Sequence, residues 1–251
     1  MRNALRHFVA EFVGVFAYVF VGSAAIAMIR YTGGRVGLLE AALAHGVIFA
    51  ALVSATMRIS GHLNPAITIG FLATRRIEPL MAGVYVLAQV FGAIVAGYAL
   101  RGLIPADVFA AIRGGGQSIA LDVSFVQAFF LEFIATFILV FVVFGTAVDP
   151  QAPKIGGLAI GLTVAGGILA IGPLTGASMN PARSFGPAIA SGVFEGQAVY
   201  WLGPMAGAVA AAFLYDLLFL PRGRETADSG ALAPADEGTG RTRTSGGKRH
   251  T

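Results

Sequence analysis

The residues best equipped for chemistry in this 251-residue chain are two asparagines, one arginine and two glutamates, all set in apolar surroundings. Asn64 and Asn180 each head the same tripeptide, Asn64-Pro65-Ala66 and Asn180-Pro181-Ala182. Asn is a favoured helix N-cap, Pro suits the first helical position, and a residue before Pro is pushed out of the α region, so both tripeptides predict sharp helix starts. An Asn that caps through its side-chain oxygen keeps an NH2 as a donor. Two such donors facing one lumen would hold the oxygen of a passing water and turn its hydrogens outward. The positive helix ends beside them would oppose cations and interrupt a proton wire. Arg183 stands three residues after Asn180, where the first copy has Ile67, so one helix alone carries a fixed charge in its first turn. A charge within a membrane costs roughly 2.5 to 3.5 kcal/mol on insertion scales and by default marks function.

Glu11 and Glu132 are carboxyls inside apolar runs and admit two readings. A proton or sodium relay would make the protein an ion-coupled transporter; a structural anchor would hold a neighbouring loop through its backbone N–H groups, and the anchor is preferred. The four histidines, His7, His45, His62 and His250, lie in unrelated settings, and His62 is read as a loop anchor rather than a pH gate. No metal-ligand spacing, phosphate-cradling loop or nucleophile with a base is present, so neither an enzyme nor a cofactor is expected. With no cysteine, disulfides and thiolate metal sites are excluded.

The elements that must carry these groups are those of a membrane. Hydrophobic residues make up 56% and charged residues 12% of the chain, with a mean hydropathy of +0.77. A soluble domain carries about 25% charged residues. The pI near 9.8 does not imply nucleic acid, because the basic residues sit in loops and termini. Apolar runs at 8–29, 38–57, 79–100, 124–148, 155–171 and 199–220 are each near the length that crosses about 30 Å of hydrocarbon. The stretches after the two tripeptides, 65–73 and 181–190, are too short. At about 1.5 Å per residue each reaches about 15 Å, half the core, so the two must enter from opposite sides and meet tip to tip.

Lys and Arg divide twelve to five between alternate loops, which predicts both termini on the cytoplasmic side. An internal repeat agrees. Glu11 and Glu132, the two tripeptides, and Gly92 and Gly207 recur at nearly constant offset, and three spans per unit require opposite orientations of the units. The expected fold is an all-α membrane protein with six transmembrane helices plus two re-entrant half-helices in an inverted repeat. Residues 1–221 form one channel domain, with repeats at about 4–100 and 124–221. Residues 222–251, rich in Gly, Ser, Thr and charge, are expected to be a disordered cytoplasmic tail.

Over about residues 4–221 the chain resembles the aquaporin family of major intrinsic proteins. The resemblance rests on Ser60-Gly61-His62-Leu63-Asn64-Pro65-Ala66-Ile67-Thr68 and Asn180-Pro181-Ala182-Arg183-Ser184, in phase with six spans. It implies the aquaporin fold, a homotetramer with a pore in each subunit, a cell-membrane location, and passive passage of water and small neutral solutes. The family's selectivity filter, carried over by position, falls on His45, Ile168, Ala177 and Arg183. That set is similar to the filter of plant tonoplast aquaporins, some of which pass ammonia or urea. His45 as a polar residue satisfied between helices, and Ile168 and Ala177 as packing residues, remain alternatives. The resemblance also implies a ladder of pore carbonyls at Gly61, His62, Leu63, Gly176, Ala177 and Ser178. The first of these loops is one residue shorter than usual before His62, which predicts a displaced ladder there. Ser184 after Arg183, with Tyr200-Trp201 opening the last span, favours a water channel over a glycerol facilitator.

Overall fold

The computed structural model describes residues 2–221. The tail expected to be disordered, 222–251, lies outside the described residues. Regular structure is helical throughout: α1 (Arg2–Tyr31), α2 (Leu38–Thr56), α3 (Pro65–Ala73), α4 (Pro79–Leu103), α5 (Ala106–Ala111), α6 (Phe125–Val143), α7 (Gly156–Thr175), α8 (Pro181–Ser191) and α9 (Gln197–Leu218). The six expected spans are α1, α2, α4, α6, α7 and α9, and all six are long and apolar enough to cross a membrane. The half-helices are α3, of 9 residues, and α8, of 11.

Two helix ends and one connection add to the sequence expectation. The fourth span leaves α geometry after Val143 and finishes as a single π turn, Phe144–Val148. The fifth runs on to Thr175 through Pro173, because a proline so close to a C-terminus removes one backbone bond and the helix closes on a left-handed Gly176 (φ 80°). The chain between the repeats, for which the sequence predicts no element, forms α5 and a 3-10 turn, Arg113–Gly115.

Packing follows the repeat. In a bilayer, helices associate by close contact and not by expelling water, so small residues set where backbones meet. Gly92 lets α4 approach the Phe12 carbonyl of α1, and Gly207 lets α9 approach the Phe133 carbonyl of α6. A side chain at either glycine would collide with that carbonyl. On the axis relating the repeats, Gly46 of α2 abuts the Gly161 carbonyl of α7, and Gly161 abuts the Gly46 carbonyl. The half-helices are seated across the repeats: α3 lies on α9, with Gly70 facing the Ala208 carbonyl, and α8 lies on α4, with Gly186 against the Ala93 carbonyl. Large apolar side chains such as Leu80, Leu87, Phe91, Ile134, Leu158 and Leu162 remain exposed, as lipid contact requires.

Candidate functional site

Both half-helices start in the same way. Asn64 is extended (φ −162°, ψ 121°) and its Oδ1 accepts from the Ala66 N–H at 2.8 Å. Asn180 (φ −153°, ψ 107°) accepts from the N–H groups of Ala182 at 3.1 Å and Arg183 at 3.3 Å. Pro65 and Pro181 take the first helical position, where a missing N–H is no loss, and Ala66 and Ala182 behind them are fully buried. The NH2 groups are not wholly free, as the sequence had suggested. Asn64 Nδ2 donates to the Met179 carbonyl at 2.7 Å, and Asn180 Nδ2 donates to the Leu63 carbonyl at 2.9 Å. Each amide thus ties its own helix to the residue preceding the other asparagine. One N–H of each remains uncommitted.

The loops leading into the tips share a backbone pattern. Gly61 and Leu63 have φ of 75° and 49°, and Ala177 and Met179 have 46° and 50°. Left-handed conformations outside glycine cost of order 1–3 kcal/mol each, so the surroundings must enforce them. Two fully buried carboxyls do so. Glu11 accepts from the His62 N–H at 2.9 Å, the Leu63 N–H at 2.7 Å and Gln89 Nε2 at 2.7 Å. Glu132 accepts from the Ser178 N–H at 2.8 Å, the Met179 N–H at 2.8 Å and the Thr175 hydroxyl at 2.7 Å. The φ alternation and the carboxylate grip of the first loop match those of the second.

Two cavities flank the crossed asparagines, which themselves keep only 1% and 2% of their surface exposed. The inner one, about 160 Å³, is bordered by Gly61, His62, Ile67, Val53 and Phe71. His62 Nδ1 pairs with Thr68 Oγ1 at 3.1 Å, and Thr68 donates its own proton to the Asn64 carbonyl at 3.0 Å. The hydroxyl is therefore the acceptor and His62 carries its proton on Nδ1, leaving Nε2 as an acceptor. The outer cavity, about 240 Å³, is bordered by His45, Ile168, Arg183, Gly176 and Gln117. Through Ile26, Ile29, Gly116 and Ser118 it continues into a wider mouth of about 490 Å³ that holds Arg30 and Arg113.

Three of the four filter positions, His45, Ile168 and Arg183, meet at the outer cavity. Ala177 is fully buried, and its neighbour Gly176 borders the cavity. The carbonyl positions divide similarly. Gly61 and His62 border the inner cavity and Gly176 the outer, the Leu63 carbonyl is bound by Asn180, and Ala177 and Ser178 are fully buried.

Arg183, 3% exposed, is held by groups that fix its plane. Its Nη2 meets His45 Nε2 at 3.0 Å and its Nη1 reaches the Gly176 carbonyl at 3.4 Å. His45 Nδ1 meets the Ala41 carbonyl at 2.7 Å. A carbonyl can only accept and a guanidinium can only donate, so His45 is neutral with its proton on Nδ1. Gln117 completes the arrangement and was missed in the sequence, because it sits in an aperiodic stretch after the Gly114–Gly116 run. With its amide oxygen turned to the guanidinium it accepts from Arg183 Nη2 at 3.2 Å and from Nη1, while its nitrogen donates to Ser184 Oγ. The Arg183 Nε is buried with no partner among the described residues.

Such a site consists of donors and helix dipoles beside two cavities and places no nucleophile beside a base. Among the described residues no cluster of His, Cys, Asp and Glu could hold a metal. Comparison with known proteins agrees with this geometry. A model of the family described as "Major intrinsic protein" matches residues 1–215. Aquaporin TIP4-4 of Zea mays is 40% identical over 88% of this chain and 89% of its own length, and Aquaporin TIP1-2 of Zea mays is 43% identical over 84% and 85%. Nodulin-26 of Glycine max is 39% identical over 85% of this chain and 78% of its own. The X-ray structure of the aquaglyceroporin from Plasmodium falciparum superposes with a TM-score of 0.76 at 28% identity, covering 86% of this chain and 96% of that one. A six-span chain with two capped half-helices joined at their asparagines, matched over nearly its whole length, belongs to the major intrinsic protein, or aquaporin, family.

Proposed function

We propose that the protein is a passive channel for water and small neutral solutes, ammonia and urea among them, and that it excludes protons and ions. The observation that carries this is the pair of half-helix tips tied by Asn64 and Asn180, with one uncommitted N–H on each amide and a cavity on either side. Two positive helix ends and the Arg183 guanidinium face the path, so a cation meets repulsion where water meets donors. His45, Ile168 and Arg183 form the outer constriction. An aliphatic side chain at 168 leaves one wall without hydrogen-bonding groups, which suits ammonia and urea as well as water. Glu11 and Glu132 act as anchors of the two loops. Their three accepted hydrogen bonds apiece support this over a proton relay, for which an open path to each carboxyl would be needed.

The chain spans the membrane repeatedly, and we place it as a homotetramer in the cell membrane with both termini cytoplasmic, on the twelve-to-five distribution of basic residues and the family resemblance. Stopped-flow shrinkage of reconstituted vesicles under water, urea, ammonia and glycerol gradients is the test. Water, urea and ammonia should pass faster than in empty vesicles, with glycerol slowest. Permeabilities equal to those of empty vesicles for all four would refute the channel.

A further inference from the structure

We propose that Gly22 of α1 is a specificity-determining position that holds the His45 imidazole against Arg183. The inference rests on the channel reading above. Glycine inside a helix is disfavoured relative to alanine, so its presence at mid-span calls for a reason. Conformation does not supply one, since Gly22 lies within regular α1 and is not among the residues of positive φ. Space does. A Cβ at position 22 would overlap His45 Nε2, and would lie 2.6 Å from Cδ2 and 3.0 Å from Cε1, well inside any real carbon contact.

The ring has little freedom to yield. Its Nδ1 is tied to the Ala41 carbonyl at 2.7 Å, and the Tyr18 ring of α1 stands edge-on to it at 5.9 Å between centroids. Its Nε2 is the atom that meets Arg183. The open side of His45 is the outer cavity that it borders. A methyl at 22 therefore breaks the His45–Arg183 contact and drives the imidazole into the path. The bare backbone of α1 thus sets the aperture, although α1 contributes no filter side chain at this position. Gly83 of α4 offers the contrast, for nothing lies within 4 Å of its added Cβ.

The experiment compares wild type, Gly22→Ala, Gly22→Ala with His45→Ala, and Gly83→Ala in proteoliposomes, with water and urea as the probes. A misplaced methylene in a fitted pocket changes discrimination by about tenfold or more. Gly22→Ala should lower the urea-to-water permeability ratio by about that factor, Gly83→Ala should leave it unchanged, and the double variant should restore urea flux because the clash is gone. If Gly22→Ala fails to insert while the double variant inserts and conducts, the clash with His45 is likewise supported. An unchanged ratio in Gly22→Ala, or a double variant that is no better than the single one in insertion and in urea flux, would overturn the proposal. Wild-type vesicles that pass neither probe would instead sink the channel reading itself.

Discussion

A carboxamide can serve a helix end, a neighbouring loop and a permeating molecule at once, because it offers two acceptor lone pairs and two donors. Asn64 and Asn180 use the oxygen for their own helices and one N–H for the opposite loop, so one N–H of each stays uncommitted, the donor that the proposed channel would offer to water. Asp would keep the cap, lose the tie and place a negative charge beside the column of water. A unit charge about 4 Å from a cation contributes on the order of 4 kcal/mol at an effective dielectric constant of 20. Asn180→Asp should accordingly raise cation leak by at least about tenfold while slowing water, as read by conductance and stopped flow. At the filter, Ile168→His should extend a longer ring with hydrogen-bonding nitrogens into the outer cavity and lower urea flux more than water flux; equal loss of both would count against its place in the wall. The caps at Asn64 and Asn180 were legible in sequence because capping is local. The ties to Met179 and Leu63 were not, since they join loops from different halves of the chain. Ala177 was placed in the filter by resemblance alone; it is fully buried, so Ala177→Phe would overpack its surroundings.

Two elements depend on carboxyls that never face the path. Each loop before a half-helix carries left-handed residues, and each is gripped by one carboxyl from a spanning helix of its own repeat, α1 or α6. Glu132→Gln would replace one accepting oxygen by an NH2 opposite backbone donors, leaving at least one buried donor unsatisfied at about 1–3 kcal/mol. The expected result is a Tm lower by about 2 to 10 °C, measured by thermal unfolding in detergent, with a matching loss of water flux. Glu11→Gln should behave alike, because Glu11 likewise holds two loop N–H groups. If Glu132→Gln leaves stability untouched and alters only proton movement, the relay reading returns. Half-helix lengths and starts were readable from Asn-Pro and from the bilayer's thickness. The end of α7 was not, because Pro173 suggests a stop wherever it occurs, and only the packing that follows decides whether a helix can tolerate it in its last turn.

At the scale of the molecule, the repeat read from Glu11 and Glu132 and from Gly92 and Gly207 is expressed as paired backbone contacts: Gly92 on Phe12 mirrors Gly207 on Phe133, and Gly46 meets Gly161 reciprocally. A transporter built from such repeats would rock one half against the other. Here the amides of each tip are bonded to the other loop, which favours a fixed path, so solute movement should stay downhill and be indifferent to proton and sodium gradients. Uphill uptake by vesicles carrying either gradient would contradict this. The exchange of seats between the halves also governs biosynthesis. Because α3 rests on α9, the first half-helix leaves the ribosome with its berth unwritten, and at 5–20 residues per second it waits on the order of ten seconds before α9 emerges. Pore closure around the tips is thus a late event of maturation, and a chain cut short before Gln197 would carry the first tripeptide without ever assembling a conduit.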